Sequence, residues 1–187
     1  MVVPLDESPP LERLADDHSP AGRPAVPLTP EPAPPAGLLI REARAADLSA
    51  LVALFAADTL GGHGDTTAPD ALDHYRAAFA AIAEDPRAQL YAAELDGRVV
   101  GTFQLVFVTS LPGQGARRAF LEAVQVDGSL RGQRIGEAMV RFAMEKAAAE
   151  GVAALTLTSS KLRSDAHRFY RRLGFANSHE GFKIVLA

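Results

Sequence analysis

The stretch LRGQRIGEAMVRF, Leu130 to Phe142, decides how the rest of this 187-residue chain is read. Two glycines lie four residues apart, arginines flank them, and apolar residues at helical spacing follow at once. The run before it, AFLEAVQV (119–126), has the composition of a strand. A strand that passes through a glycine-bearing turn into a helix leaves unpaired N–H groups at the helix start, and the helix dipole adds to their pull on an anion. Gly132 and Gly136 let a ligand come close to the backbone, and Arg131 and Arg134 add positive charge. The G-x-x-x-x-G-K-[ST] phosphate loop and the G-x-G-x-x-G dinucleotide fingerprint are both absent. On these residues alone two readings stay open, an anion-gripping loop and a plain strand–helix turn.

Working outward, the period of the sequence changes several times. LLIREA, from Leu38, is a short strand, and DLSALVALFAAD (47–58) is a helix with Asp47 as its expected N-cap. TLGGHGDTT (59–67) interrupts it, and DALDHYRAAFAAIAE (70–84) is a second helix ended by Asp85-Pro86. AQLYAAEL and RVVGTFQLVFVT are strands joined by Asp96-Gly97, a hairpin signal. The helix that opens at Gly136 is stopped by Gly151, VAALTLT (152–158) is a buried strand, and Ser164 caps the helix DAHRFYRRL, which Gly174 closes. EGFKIVLA (180–187) is a last strand. The pattern is that of a mixed α/β (α+β) domain over residues 37–187, with no internal repeat.

Residues 1–36 differ. They hold ten of the 13 prolines, with six acids and two bases, and so carry the whole formal charge of −4. This composition predicts a disordered extension. The remainder has 17 bases and 17 acids, which gives no electrostatic footprint for nucleic acid. There is no cysteine, which excludes disulfides, thiolate metal sites and cysteine nucleophiles and fits a reducing compartment. No signal peptide or membrane-spanning run is seen, so a cytoplasmic location is expected.

Three linked motifs make the chain resemble the GNAT superfamily of N-acetyltransferases: RGQRIGEA (131–138), LEAVQV (121–126) before it, and LTSSKLRSDAHRFYRRLGF (157–175) after it. The resemblance covers Leu38 to Ala187 and implies a mostly antiparallel sheet flanked by helices. In that fold a splayed pair of parallel strands, here 119–126 and 152–158, forms the cleft for acetyl-CoA, the co-substrate. It implies that the main chain of Val124, Gln125 and Val126 pairs with the pantetheine arm. The amides of Gly132, Gln133, Arg134, Ile135, Gly136 and Glu137 would hold the pyrophosphate, with Arg131 and Arg134 beside it. Arg134 stands where the family's pattern has a glycine, and an ordinary helical backbone is expected there. Ser160 falls where the family often has a polar residue near the cofactor.

Direct transfer of acetyl to an amine needs a base, an oxyanion donor and an acid. By strand alternation Phe120, Glu122, Val124 and Val126 share one face, so Glu122 is a carboxylate on an otherwise apolar face, suited to a general base. Its competing role is a salt-bridged or edge-exposed acid. The Val124 N–H is the expected oxyanion donor. Tyr170, the family's helix tyrosine, is the expected proton donor to the thiolate, against a packing role beside Phe169. The histidines His18, His63, His74, His167 and His179 form no metal pattern, and no metal is expected. The C-terminal sequence is similar to the aminoalkylphosphonate acetyltransferase branch, which implies a small-molecule primary amine as acceptor. A protein or peptide N-acetyltransferase and a non-catalytic acyl-CoA sensor are the alternatives. The resemblance also implies a possible homodimer, with neither nucleic acid nor membrane as partner.

Overall fold

A computed structural model describes residues 33–60 and 64–186. The expectations for the proline-rich extension, for His18 and for His63 lie outside the described residues, apart from 33–36, which form no helix or strand.

The hairpin is the fold's local anchor. β2 (Ala88–Leu95) and β3 (Arg98–Thr109) take the predicted bounds. Asp96 (φ 50°) and Gly97 (φ 78°) are both left-handed, as a two-residue turn matching the twist of its strands requires. β1 (Leu38–Glu42) adds antiparallel to β2, and β4 (Arg117–Val126) adds antiparallel to β3. A four-residue turn, α3 (Pro112–Gly115), links β3 to β4. β5 (Ala154–Thr156) pairs parallel to β4 and closes a five-stranded sheet ordered β1-β2-β3-β4-β5.

Helices cover both faces. α4 (Ile135–Ala149) lays Ile135, Met139, Val140 and Ala143 on Phe103, Leu105, Ala119 and Leu121, all nearly or fully buried. Tyr91 stacks on Phe103 at 4.9 Å and meets Phe142 edge-on at 5.3 Å. On the other face α1 (Leu48–Ala56) buries Leu51 and Val52, and α2 (Leu72–Glu84) packs along β2. Gly101 of β3 lies directly beneath α4: a Cβ there would sit 2.7 Å from Met139 Sδ. α5 (Ser164–Arg172) follows β5 and seats Phe169 and Tyr170 against the α4-side core.

Three expectations are corrected and one is sharpened. Asp47 does stand at the N-cap position of α1 but makes no side-chain cap bond there; its carboxylate turns back to the Arg44 N–H at 2.7 Å and to the Arg41 guanidinium at 2.7 and 2.9 Å. Arg41 also binds Glu94 on β2, so the acid is recruited into an ion triad that pins the chain entering α1 to the first two strands. Ser164 is the first residue of α5 rather than its cap, which is Arg163. The expected buried strand 152–158 shrinks to three residues, of which Ala154 and Thr156 are exposed, because β5 lies at the sheet's edge and pairs on one side only. The expected last strand is not formed: from 176 to 186 the main chain makes no backbone hydrogen bond among the described residues, and Phe182, Ile184, Val185 and Leu186 are exposed. An alternating apolar segment has strand character, but without a ladder partner it is not a strand.

Candidate active site

The site is built where β4 and β5 part. They pair only from Arg118–Phe120 to Ala154–Thr156. Beyond Phe120 the outer edge of β4 has no ladder partner, so its main-chain groups border an open gap. Within that unpaired stretch lies a bulge. Thr102 of β3 faces Gln125, yet Gln104 faces Glu122, so three residues of β4 span two of β3. Ala123 takes up the extra length in a left-handed conformation, φ 53°.

The bulge corrects the sequence reading of the faces. Directly opposed residues point the same way, so Glu122 and Gln125 share the face of Thr102 and Gln104, toward α1. Val124 and Val126 lie on the other face and pack against the α4-side core. Glu122 is exposed, and its cross-strand neighbour is Gln104, so its surroundings are polar rather than apolar.

At the far end of β4 the chain turns into α4. Asp127 fastens the turn by accepting from the Ser129 N–H at 2.9 Å and from its hydroxyl at 2.7 Å. Gly132 (φ 81°) and Arg134 (φ 63°, ψ 8°) are both left-handed, which corrects the expected helical backbone at Arg134. The position therefore has the conformation that glycine adopts without strain, and an arginine fills it. The N–H groups of Ile135, Gly136 and Glu137, in the first turn of α4, find no acceptor among the described residues. The one carboxylate of this turn, Glu137, is bound by Arg141 at 3.1 Å and Arg172 at 3.5 Å, which offsets its charge beside a site suited to anions. Val126, Gly132, Gly136, Phe169 and Arg172 line a cleft of about 290 Å³ here, with Arg131 and Arg134 at its rim. A Cβ on Gly136 would stand 3.6 Å from Val126 and 3.7 Å from Phe169, so the glycine widens the cleft without being needed for packing.

The opposite wall is the segment after β5. Tyr170 packs edge-on against Phe169 at 5.1 Å and Phe175 at 5.7 Å, and its hydroxyl has no hydrogen-bond partner among the described residues. Burial pushes its pKa above the ordinary 10, against the pull of the Arg163 charge. Packing and a free hydroxyl thus coexist in one residue. Ser160 is exposed, and its hydroxyl accepts from the Leu162 N–H at 3.3 Å, which serves the turn. The neighbouring Ser159 hydroxyl is buried with no partner among the described residues. Leu155 and Leu157 mark the inward face of this segment, and alternation carries that face to Ser159; the signal was present in the sequence.

Asp58, at the end of α1, was not foreseen. Its carboxylate accepts from Gln125 Nε2 at 2.8 Å and pairs with Arg163. Burial opposes ionisation there, but the bonds from Arg163 and Gln125 outweigh it and hold the carboxyl below its ordinary value. Among the described residues no three or more His, Cys, Asp or Glu side chains lie grouped to hold a metal ion, and no helix is long and apolar enough to cross a membrane.

The chain matches the Acetyltransferase (GNAT) family over residues 48–175. It is 34% identical over 112 residues to the aminoalkylphosphonate N-acetyltransferase of Salmonella typhimurium, covering 60% of this chain and 72% of that one. It is 30% identical over 96 residues to N-acetyltransferase 8 of Rattus norvegicus, covering 51% of this chain and 43% of the other. Among solved structures, one described as a transcriptional regulator from Bacillus halodurans C-125 superposes with a TM-score of 0.77 at 38% identity, over 80% of this chain and 99% of that one.

Proposed function

Because the chain belongs to the GNAT acetyltransferase family, we propose that it moves the acetyl group of acetyl-CoA by direct attack onto the primary amine of a small molecule. The observation that carries the reading is the unpaired edge of β4. It begins beside Phe120, passes the Ala123 bulge and ends at the free N–H groups of α4. An extended amide-bearing arm with a diphosphate at its end fits such an edge: the arm adds as a strand along Val124, Gln125 and Val126, and the diphosphate takes the amides from Gly132 to Glu137. Arg131 and Arg134 then supply charge-assisted contacts from the rim. Ser159 is the better candidate than Ser160 for the polar contact on the far wall, because its hydroxyl is the one in need of a partner.

The two faces of β4 divide the chemistry. The amine approaches from the α1 side, where exposed Glu122 takes its proton through water. The amine nitrogen bonds to the thioester carbonyl carbon while the Val124 N–H stabilises the oxygen. The carbon–sulfur bond breaks, and the thiolate takes its proton from Tyr170 on the α5 side. The high pKa of Tyr170 keeps that proton in place until the thiolate forms.

The Salmonella relative, named for an aminoalkylphosphonate, supports a small amine as acceptor. A nucleic-acid role, which the description of the Bacillus structure raises, finds no support in a body of 17 bases and 17 acids. The test is thiol release from acetyl-CoA across a panel of small amines, aminoalkylphosphonates and peptides. Turnover confined to peptides would replace the small-molecule reading, and silence across the panel with acetyl-CoA still bound would make the protein a sensor.

A further inference from the structure

The Asp58 carboxylate has a place in the fold that no step above uses. Its side chain is 8% exposed, at the C-terminal end of α1. Oδ2 accepts from Gln125 Nε2 at 2.8 Å and from the Arg163 guanidinium, and Oδ1 accepts from the Leu60 N–H at 3.3 Å. The two side-chain partners stand on opposite walls of the gap. Gln125 is on β4, two residues past the bulge, and Arg163 ends the turn that leads from β5 into α5. They are 67 and 105 residues from Asp58 in the chain. Ladder pairing between the walls has already stopped at Phe120 and Thr156. Beyond that point Asp58 links the walls through side chains.

A carboxylate this buried is kept only where its bonds are satisfied. Its removal leaves Gln125 without its acceptor and Arg163, whose side chain is 24% exposed, without its counter-charge. Each wall would then be free to shift. Arg163 also lies close enough to Tyr170 for its charge to act on the hydroxyl, so the same tie fixes a positive charge beside the group that meets the thiolate.

We propose that Asp58 is a positioning residue for acetyl transfer, a clasp that ties the β4 wall through Gln125 to the β5–α5 wall through Arg163 and holds the gap at the width the acyl carrier requires. The proposal rests on the acetyltransferase reading given above. A gap held open in advance binds its ligand without the cost of ordering two walls, so the clasp acts first on affinity.

The test uses the full chain, calorimetry with acetyl-CoA, thiol release with an accepted amine, and thermal melting. Asp58→Ala should weaken acetyl-CoA binding about tenfold, the scale of one lost charge-assisted tie, and raise KM for acetyl-CoA more than it lowers kcat. The exchanged pair Asp58→Arg with Arg163→Asp should recover part of the affinity, which a residue that only stabilises the fold would not. Should Asp58→Ala fail to fold, Asp58→Asn keeps the shape and removes the charge, and it should show the same KM-weighted loss. Acetyl-CoA affinity within twofold of wild type in these variants, with lowered melting alone, would overturn the clasp. A wild-type chain that binds no acetyl-CoA would overturn the acetyltransferase reading itself.

Discussion

Replacing Arg134 by glycine should stabilise the protein while weakening its hold on acetyl-CoA. Arg134 caps α4 at φ 63°, ψ 8°. A residue with a Cβ costs about 1–2 kcal/mol in that conformation, and glycine removes the cost. Glycine also gives the unfolded chain more freedom, which takes back about 0.5–1 kcal/mol. The net gain is about 0.5–1 kcal/mol, or about 1–4 °C in Tm for a domain of this size. The guanidinium is exposed at the rim of the cleft, so its loss should raise Kd for acetyl-CoA roughly fivefold, the scale of one exposed ion pair. Arg134→Ala separates the two effects, because it loses the charge and keeps the strain. Calorimetry should give both variants the same weakened affinity, and scanning calorimetry should place the glycine variant above wild type and above the alanine variant. An alanine variant as stable as the glycine variant would refute the argument from the backbone. Unchanged affinity in both would remove Arg134 from the phosphate site.

Three further outcomes are expected. Tyr170→Phe keeps the ring packing and loses the proton, so kcat should fall about 100-fold with KM for acetyl-CoA little changed; because the hydroxyl titrates above 10, the wild-type rate should show no alkaline loss from this group below that pH. Asp47→Ala breaks the Arg41 triad, whose Arg41 and Asp47 side chains are 15% and 9% exposed, and should cost about 2–3 kcal/mol at pH 7, less than a fully dry pair. Its bond to Arg41, the main cause, holds the Asp47 carboxyl below the ordinary 3.8, so this stability is present above 3.8 and is lost as pH falls through the lower folded value; urea unfolding of wild type and variant should converge in that acid range. Gly101→Ala would place a methyl 2.7 Å from Met139 Sδ and 3.1 Å from the Gln125 carbonyl, and thermal unfolding should show a loss of about 1–3 kcal/mol, since buried Met139 has little room to yield.

What could be read from the sequence follows the range of the forces involved. The β2–β3 hairpin takes its predicted bounds because Asp96-Gly97 and the flanking alternation act over a few residues. The loop after β4 is legible for the same reason, since its glycines and arginines are contiguous. Asp47 holds the expected N-cap position, but its carboxylate is drawn to Arg41, which is itself held by Glu94 on another strand, 53 residues away, and no local pattern signals that triad. Asp58 was missed because its partners are 67 and 105 residues away, and nothing local distinguishes it from any acid ending a helix. Strand character in 180–186 is a local property too, but a strand also needs a neighbour, and among the described residues the outer edge of β5 pairs with nothing.

The two deeper misreadings share a cause that bears on function. Ala123 and Arg134 are both left-handed residues with a Cβ, and neither residue type signals that conformation. Reading them as ordinary placed Glu122 and Val124 on one face and Arg134 on a regular helix. Each costs the fold about 1–2 kcal/mol, and strain of this kind persists only where the surroundings impose it. Here they stand at the two ends of one open edge: Ala123 where β4 shifts its register, Arg134 where the free amides of α4 begin. The first turns Glu122 toward α1 and Val124 toward α4, so that under the proposed function base and acid reach the same edge from opposite sides. The second turns the chain so that the first turn of α4, with its free amides, lines the cleft. Under the proposed function the strain therefore lies at the points where the edge must change direction to meet both ends of an extended ligand, and that placement, rather than the presence of glycines, is what would tie the loop to the bulge as parts of a single site.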